Sequence, residues 1–164
     1  MYERLGDNRT PDAPANATIN HDALGTQLIA GVGVADSPLI TAVIEYAQQL
    51  SEPYLFNHAM RSWLFAETIG RLRGIDYDHQ VVAIGTLLHD IGLTAGMSGP
   101  HRFEVNGANA ALSFVKGKGV SARHAQLIWD LVAFNSTPSL ALHKVSADSD
   151  QRESSSADRR TNGR

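Results

Sequence analysis

His89 and Asp90 stand side by side at the end of the apolar run Val81-Val82-Ala83-Ile84-Gly85-Thr86-Leu87-Leu88. Ionisable groups that emerge from such a run need hydrogen-bond partners or a metal ion to offset their desolvation. Successive residues of an ideal helix point about 100° apart, so the two cannot share one face. At a helix end just ahead of Gly92, however, both can turn toward a single ion. A further imidazole must then come from another helix. His58, within Phe56-Asn57-His58-Ala59-Met60-Arg61, is the best candidate because its neighbours should face the core. Imidazole plus carboxylate suits zinc, iron and manganese alike, zinc being the expected ion, and an open coordination position would bind and acidify a water. Taken singly, these parts carry little weight: a lone buried histidine is more often a hydrogen-bonded core residue than a ligand, and a His-Asp dipeptide is no more specific.

Composition narrows the alternatives. The 164 residues carry no cysteine, which excludes a disulfide scaffold, a thiolate nucleophile and any Cys-ligated zinc or iron–sulfur site. A net charge of -3 and a pI near 6.1 give no basic footprint for nucleic acid. No stretch reaches the roughly 18 uninterrupted apolar residues of a membrane span, and the polar start with Pro11 and Pro14 lacks a secretory signal, so the expected address is cytoplasmic. The length suits one domain with its own core.

The elements that must position the histidines read as helices. Residues 1–22, rich in Asn, Thr, Asp and Pro, are expected to form a flexible arm, residues 23–143 the compact domain, and residues 144–164 a disordered polar tail. Ser37-Pro38 should cap a helix with an apolar stripe at Leu39, Ile40, Val43, Ile44, Ala47 and Leu50. A second helix should run from about Pro53 to Leu72, with Leu55, Ala59, Ser62, Trp63, Ala66 and Ile69 inward and Gly74 past its end. A third, capped by Asp78, is apolar enough to be central. Gly96, Gly99 and Pro100 mark a loop before a fourth helix through Phe103, Val105, Ala108, Ala111, Leu112 and Val115, and Ser121 should cap a fifth reaching about Asn135. No segment alternates apolar with polar residues between hairpin turns, so the expected class is all-α. His79, His101, His124 and His143 are expected at the surface or in loops, His101 beside Pro100 being the one retained for a pocket. His21-Asp22 repeats the dipeptide without a preceding apolar helix.

Three strings in order change the weighting: Tyr54-Leu55-Phe56-Asn57-His58-Ala59-Met60-Arg61-Ser62-Trp63-Leu64-Phe65, then Leu87-Leu88-His89-Asp90-Ile91-Gly92-Leu93-Thr94, then Arg102-Phe103-Glu104-Val105-Asn106-Gly107-Ala108-Asn109-Ala110-Ala111. Together they resemble the HD-domain superfamily, and more narrowly its cyanamide hydratase branch, over about residues 36–144. The resemblance implies a single all-α HD-type domain holding one divalent ion, with His58, His89 and Asp90 as ligands. It further implies that Arg61, Thr94, Phe103, Glu104 and Asn135 line a substrate pocket. Two positions depart from the pattern: Asn135 stands where the family usually has His, and Asn106 where an acidic residue is commoner. The superfamily's last metal ligand is an aspartate on a later helix. Here the chain passes after His143 into a Ser/Asp/Arg-rich tail, where Asp148, Asp150 and Asp158 have no apolar face beside them.

The expected function is therefore metal-dependent addition of water to a small nitrile-like substrate, cyanamide to urea. Metal-bound water would be the nucleophile, and no side chain is assigned as general base. One alternative is an HD-type phosphohydrolase acting on a nucleotide or phosphomonoester, against which only Arg61 and Arg102 lie near the motif to hold phosphate. Another is a truncated, inactive HD domain, whose missing helix would expose apolar surface and favour homo-oligomers. The expected partner is a small molecule, with neither nucleic acid nor membrane involved.

Overall fold

The computed structural model describes residues 24–137. The anticipated arm and tail lie outside the described residues, as do His21, Asp22, His143, Asp148, Asp150 and Asp158. Five helices carry most of the described chain: α1 (Pro38–Leu50), α2 (Pro53–Arg73), α3 (His79–Leu88), α4 (Phe103–Val115) and α5 (Ala122–Ala133). Two 3₁₀ turns, Ile91–Leu93 and Ala95–Met97, link α3 to α4.

The helix starts follow from local chemistry. The hydroxyls of Ser37 and Ser121 accept from the backbone N–H groups of Ile40 and His124, and the Asp78 carboxylate accepts from that of Val81. Each satisfies a first-turn donor that has no partner within the helix. Pro38 and Pro53 occupy first-turn positions, where proline's missing N–H costs nothing. At the far end of α2, Gly74 closes the helix in the left-handed region.

The all-α expectation holds for the bulk of the described chain and fails at one place. β1 (Gly25–Ile29) and β2 (Val32–Asp36) form an antiparallel hairpin in which Gly25 pairs with Asp36 and Ile29 with Val32. The turn residues Ala30 and Gly31 have φ of 49° and 80°, the positive values that a tight two-residue hairpin turn requires. The usual period-2 signal is missing for a physical reason. Val34 and Ala35 are buried consecutively beneath the hairpin while Leu28 faces outward, so the apolar residues do not alternate.

At the centre lies α3, packed against α1, α2, α4 and α5. Its Val81, Ala83, Ile84, Leu87 and Leu88 join Ile40 and Val43 of α1, Trp63 of α2, Ala108, Ala111 and Val115 of α4, and Ile128 and Val132 of α5. Each large apolar side chain buried here stabilises the fold by about 1.5–3 kcal/mol relative to exposure.

The inward face of α2 differs from its apolar pattern. Leu55, Ala59, Trp63, Glu67 and Gly70 are buried, whereas Ile69 is 45% exposed and Ser62 and Ala66 are half-buried. Glu67 is admitted to the interior because two donors reach its Oε2: the Tyr77 hydroxyl at 3.0 Å and the His79 ring at Nδ1, 2.9 Å away. His79 is exposed as expected, yet it opens α3 with one nitrogen on a buried carboxylate.

One close approach fixes how the chain leaves α3. A Cβ on Gly92 would collide with the Phe103 carbonyl oxygen and stand 2.9 Å from the Gly107 nitrogen, so the 3₁₀ turn lies backbone to backbone on α4. Gly92→Ala should destabilise the protein by roughly 1–3 kcal/mol, the usual cost of forcing an added methyl into a filled space. The urea unfolding midpoint checks this, and an unchanged midpoint would contradict the contact.

Burial, together with the hydrogen bond to the nearby Glu67 carboxylate, pushes the Tyr77 phenol up to about 12 from 10.0. Because the folded-state value is raised, the associated stability is complete below pH 10 and lost as pH rises through 12. A tyrosinate absorbance titration should show a late step near pH 12 that Tyr77→Phe removes.

Candidate metal centre

α2 and α3 run antiparallel, since Glu67 near the end of α2 meets His79 at the start of α3, while His58 near the start of α2 meets His89 at the end of α3. His89 is the C-cap of α3 with helical φ and ψ of -58° and -32°. Asp90 leaves the helix at φ -107°, ψ 9°. That change of backbone direction brings two adjacent side chains onto one point, which a continued helix would forbid.

Three atoms converge there. His58 Nε2 and His89 Nε2 are 3.2 Å apart, His89 Nε2 and Asp90 Oδ2 3.1 Å, and His58 Nε2 and Asp90 Oδ2 3.5 Å. Among the described residues, this is the group of three His, Cys, Asp or Glu side chains whose ligand atoms lie close enough to share an ion. Tetrahedral coordination with bonds of about 2.0–2.1 Å places neighbouring donors about 3.3–3.4 Å apart, and the three separations bracket that value.

The protonation pattern agrees with a ligand role. His89 Nδ1 lies 2.7 Å from the Thr86 carbonyl oxygen. A carbonyl only accepts, so Nδ1 carries the hydrogen and Nε2 of the neutral ring is left with its lone pair toward the centre. Backbone support of this kind orients metal-binding histidines generally. His58 is 49% exposed while His89 and Asp90 are mostly covered, so the centre opens to solvent on the α2 side.

The residues expected to line a pocket take varied places. Asn135, just beyond α5, donates from Nδ2 to the His89 carbonyl at 2.6 Å and to Asp90 Oδ1 at 3.3 Å. Arg61 is exposed one turn after His58. Thr94 is buried, its hydroxyl returning to the Ile91 carbonyl at 2.8 Å, and Phe103 is half-buried at the start of α4. Glu104, 3% exposed, accepts from Arg102 Nη2 at 2.7 Å and from the Ser136 hydroxyl at 2.6 Å. His101 sits in the exposed loop as expected, its carbonyl taking the Asn106 side-chain amide. His124 lies on α5, with Nε2 3.4 Å from Asp78 Oδ2.

Sequence reading missed Thr86 and Ser136. Thr86 acts through a backbone carbonyl, which leaves no trace in residue type. The adjacent polar pair Asn135-Ser136, directly after an apolar helix, was the available signal for the second. Asn135 and Ser136 serve the same junction, one tied to the His-Asp pair and the other to Glu104 at the start of α4. The chain matches no family model, no curated protein and no solved structure.

The bonds from Arg102 and Ser136, with a backbone hydrogen bond, hold the Glu104 carboxyl down at about 2 against an ordinary 4.5. For a depressed carboxyl the associated stability is complete above pH 4.5 and lost as pH falls through 2. The stability advantage of the native chain over Glu104→Gln should therefore stay level from neutral pH to about 4.5 and shrink to nothing near pH 2. Urea midpoints measured across that window check it, and a pH-independent difference would contradict the assigned pairing.

Proposed function

We propose that this chain is a metal-dependent hydratase or hydrolase of HD type, with His58, His89 and Asp90 holding one divalent ion, zinc first. The carrying observation is the convergence of two imidazole nitrogens and one carboxylate oxygen from α2 and the end of α3. The order of the ligands in the sequence and the HD-like strings around them support the family reading. When bound, the ion supplies a Lewis acid that polarises a small substrate and lowers the pKa of water.

The protein's own groups do the rest. Thr86 and Asn135 fix the orientation of His89 and Asp90, so the donor atoms are in place before a ligand arrives. The exposed side of His58 provides the approach, with Arg61 one turn further along α2. Arg102 is engaged by Glu104, which leaves Arg61 as the remaining cation of the two beside the motif. That favours a small neutral substrate over a multiply charged phosphate. Cyanamide fits this description. Its hydration adds the water oxygen to the nitrile carbon, and both water hydrogens end on nitrogen, giving urea.

The test is metal content of the purified chain and of His89→Ala, with urea formation from cyanamide assayed on the same samples. Near-stoichiometric metal with urea production is expected for the native chain, and loss of both for the variant. Turnover of a phosphomonoester or nucleotide with none of cyanamide would transfer the assignment to a phosphohydrolase. Absence of metal from both samples, even after incubation with zinc, would overturn the enzyme reading.

A further inference from the structure

The two oxygens of Asp90 are used differently. Oδ2 faces His89 Nε2 at 3.1 Å and His58 Nε2 at 3.5 Å, while Oδ1 is turned to the Asn135 amide at 3.3 Å. Both acceptors met by that amide nitrogen, Oδ1 and the His89 carbonyl at 2.6 Å, can only receive hydrogen bonds. The NH₂ end must therefore face them, and its two hydrogens match the two acceptors. Aspartate at this place would bring no donor, and serine or threonine a single hydrogen.

The amide is anchored independently of any ion. Phe134 N–H closes α5 on the Asp130 carbonyl, Thr137 N–H returns to the Phe134 carbonyl at 2.9 Å, and the Ser136 hydroxyl is held by Glu104. Asn135 is thus presented on a fixed turn rather than drawn in by a ligand.

We propose that Asn135 is a positioning residue that restricts Asp90 to ligation through one oxygen, and so sets both the affinity and the coordination number of the centre. The inference rests on the metal-site reading above. A carboxylate can bind a cation through one oxygen or two. Occupation of Oδ1 by an N–H donor favours the first mode, which keeps the donor set small and suits a four-coordinate ion with a position left for water or substrate. Without the amide, Oδ1 is free to rotate toward the ion, raising the coordination number, and the His89-Asp90 turn loses its tie to α5.

The experiment uses the full chain with Zn²⁺ and Co²⁺ as probes, comparing the native protein with Asn135→Ala, the near-isosteric and uncharged Asn135→Leu, and Ser136→Ala. Ser136→Ala loosens the same turn without touching Asp90. Equilibrium dialysis should show Zn²⁺ binding about 10–100-fold weaker in both Asn135 variants, the usual range for loss of a group that supports a metal ligand. The visible Co²⁺ spectrum should be intense in the native protein and in Ser136→Ala, and weak in both Asn135 variants, as expected when coordination rises above four. Native affinity and an unchanged Co²⁺ spectrum in both Asn135 variants would overturn the proposal while leaving the metal site standing. Equal losses in Ser136→Ala would also overturn it, by assigning the effect to the turn as a whole. Should Asn135→Ala fail to fold, Asn135→Leu decides on the same readouts. Failure of the native chain to bind either metal would remove the metal-site reading and this inference together, an outcome distinct from the others.

Discussion

The arrangement depends on how the chain leaves α3. His89 still has helical dihedrals and Asp90 does not, and the convergence of their side chains comes from that one-residue change of direction. Three contacts hold it. Leu93 N–H returns to the Asp90 carbonyl at 2.9 Å, Gly92 lies against the α4 backbone where no side chain would fit, and the Asn135 amide reaches in from α5. α4 and α5 carry no atom of the converging group, yet they fix its geometry.

The antiparallel pair α2/α3 places ionisable clusters at both ends with an apolar middle. At one end Glu67 is hydrogen-bonded through Oε2 to Tyr77 and His79, and at the other His58, His89 and Asp90 meet at the surface. Glu67 follows His58 by nine steps along the helix, about 14 Å at 1.5 Å per residue, with Ala59 and Trp63 buried between them. The distribution follows from desolvation: charged groups can sit beside an apolar core only where partners or solvent compensate them, and the helix ends supply both.

Much of this was legible in the residues. Ser37-Pro38, Asp78 and Ser121 announce helix starts because capping is local chemistry, and Gly74 announces an end for the same reason. His58, His89 and Asp90 stood out because ionisable side chains on apolar stretches demand compensation. The hairpin was not legible, since Val34 and Ala35 are buried together and Leu28 is not, which erases the alternation of a half-buried strand. Glu67 was likewise hidden. Its burial depends on Tyr77 and His79, ten and twelve residues away, and no window of helix periodicity contains that pairing. The places of Thr94, Glu104 and Asn135 are set by hydrogen bonds to backbone carbonyls and across elements, which residue type does not encode.

Three carboxylates in well-covered positions show why burial alone does not mark a cation site. Glu104 is matched by a guanidinium and a hydroxyl, which meet its charge directly and hold its carboxyl near 2. A cation arriving there would have to displace Arg102. Glu67 is met by a phenol and an imidazole on the same oxygen, inside a core with almost no solvent contact. Asp90 differs in both respects. Its one neutral donor, the Asn135 amide, engages Oδ1 and leaves the negative charge unmatched, while Oδ2 is directed at two imidazole nitrogens beside solvent. A single partner of the wrong kind would end that capacity, because an arginine reaching Oδ2 would do to Asp90 what Arg102 does to Glu104. What distinguishes the centre is therefore the charge still uncompensated at a point where other lone pairs gather, the compensation that a divalent cation would supply.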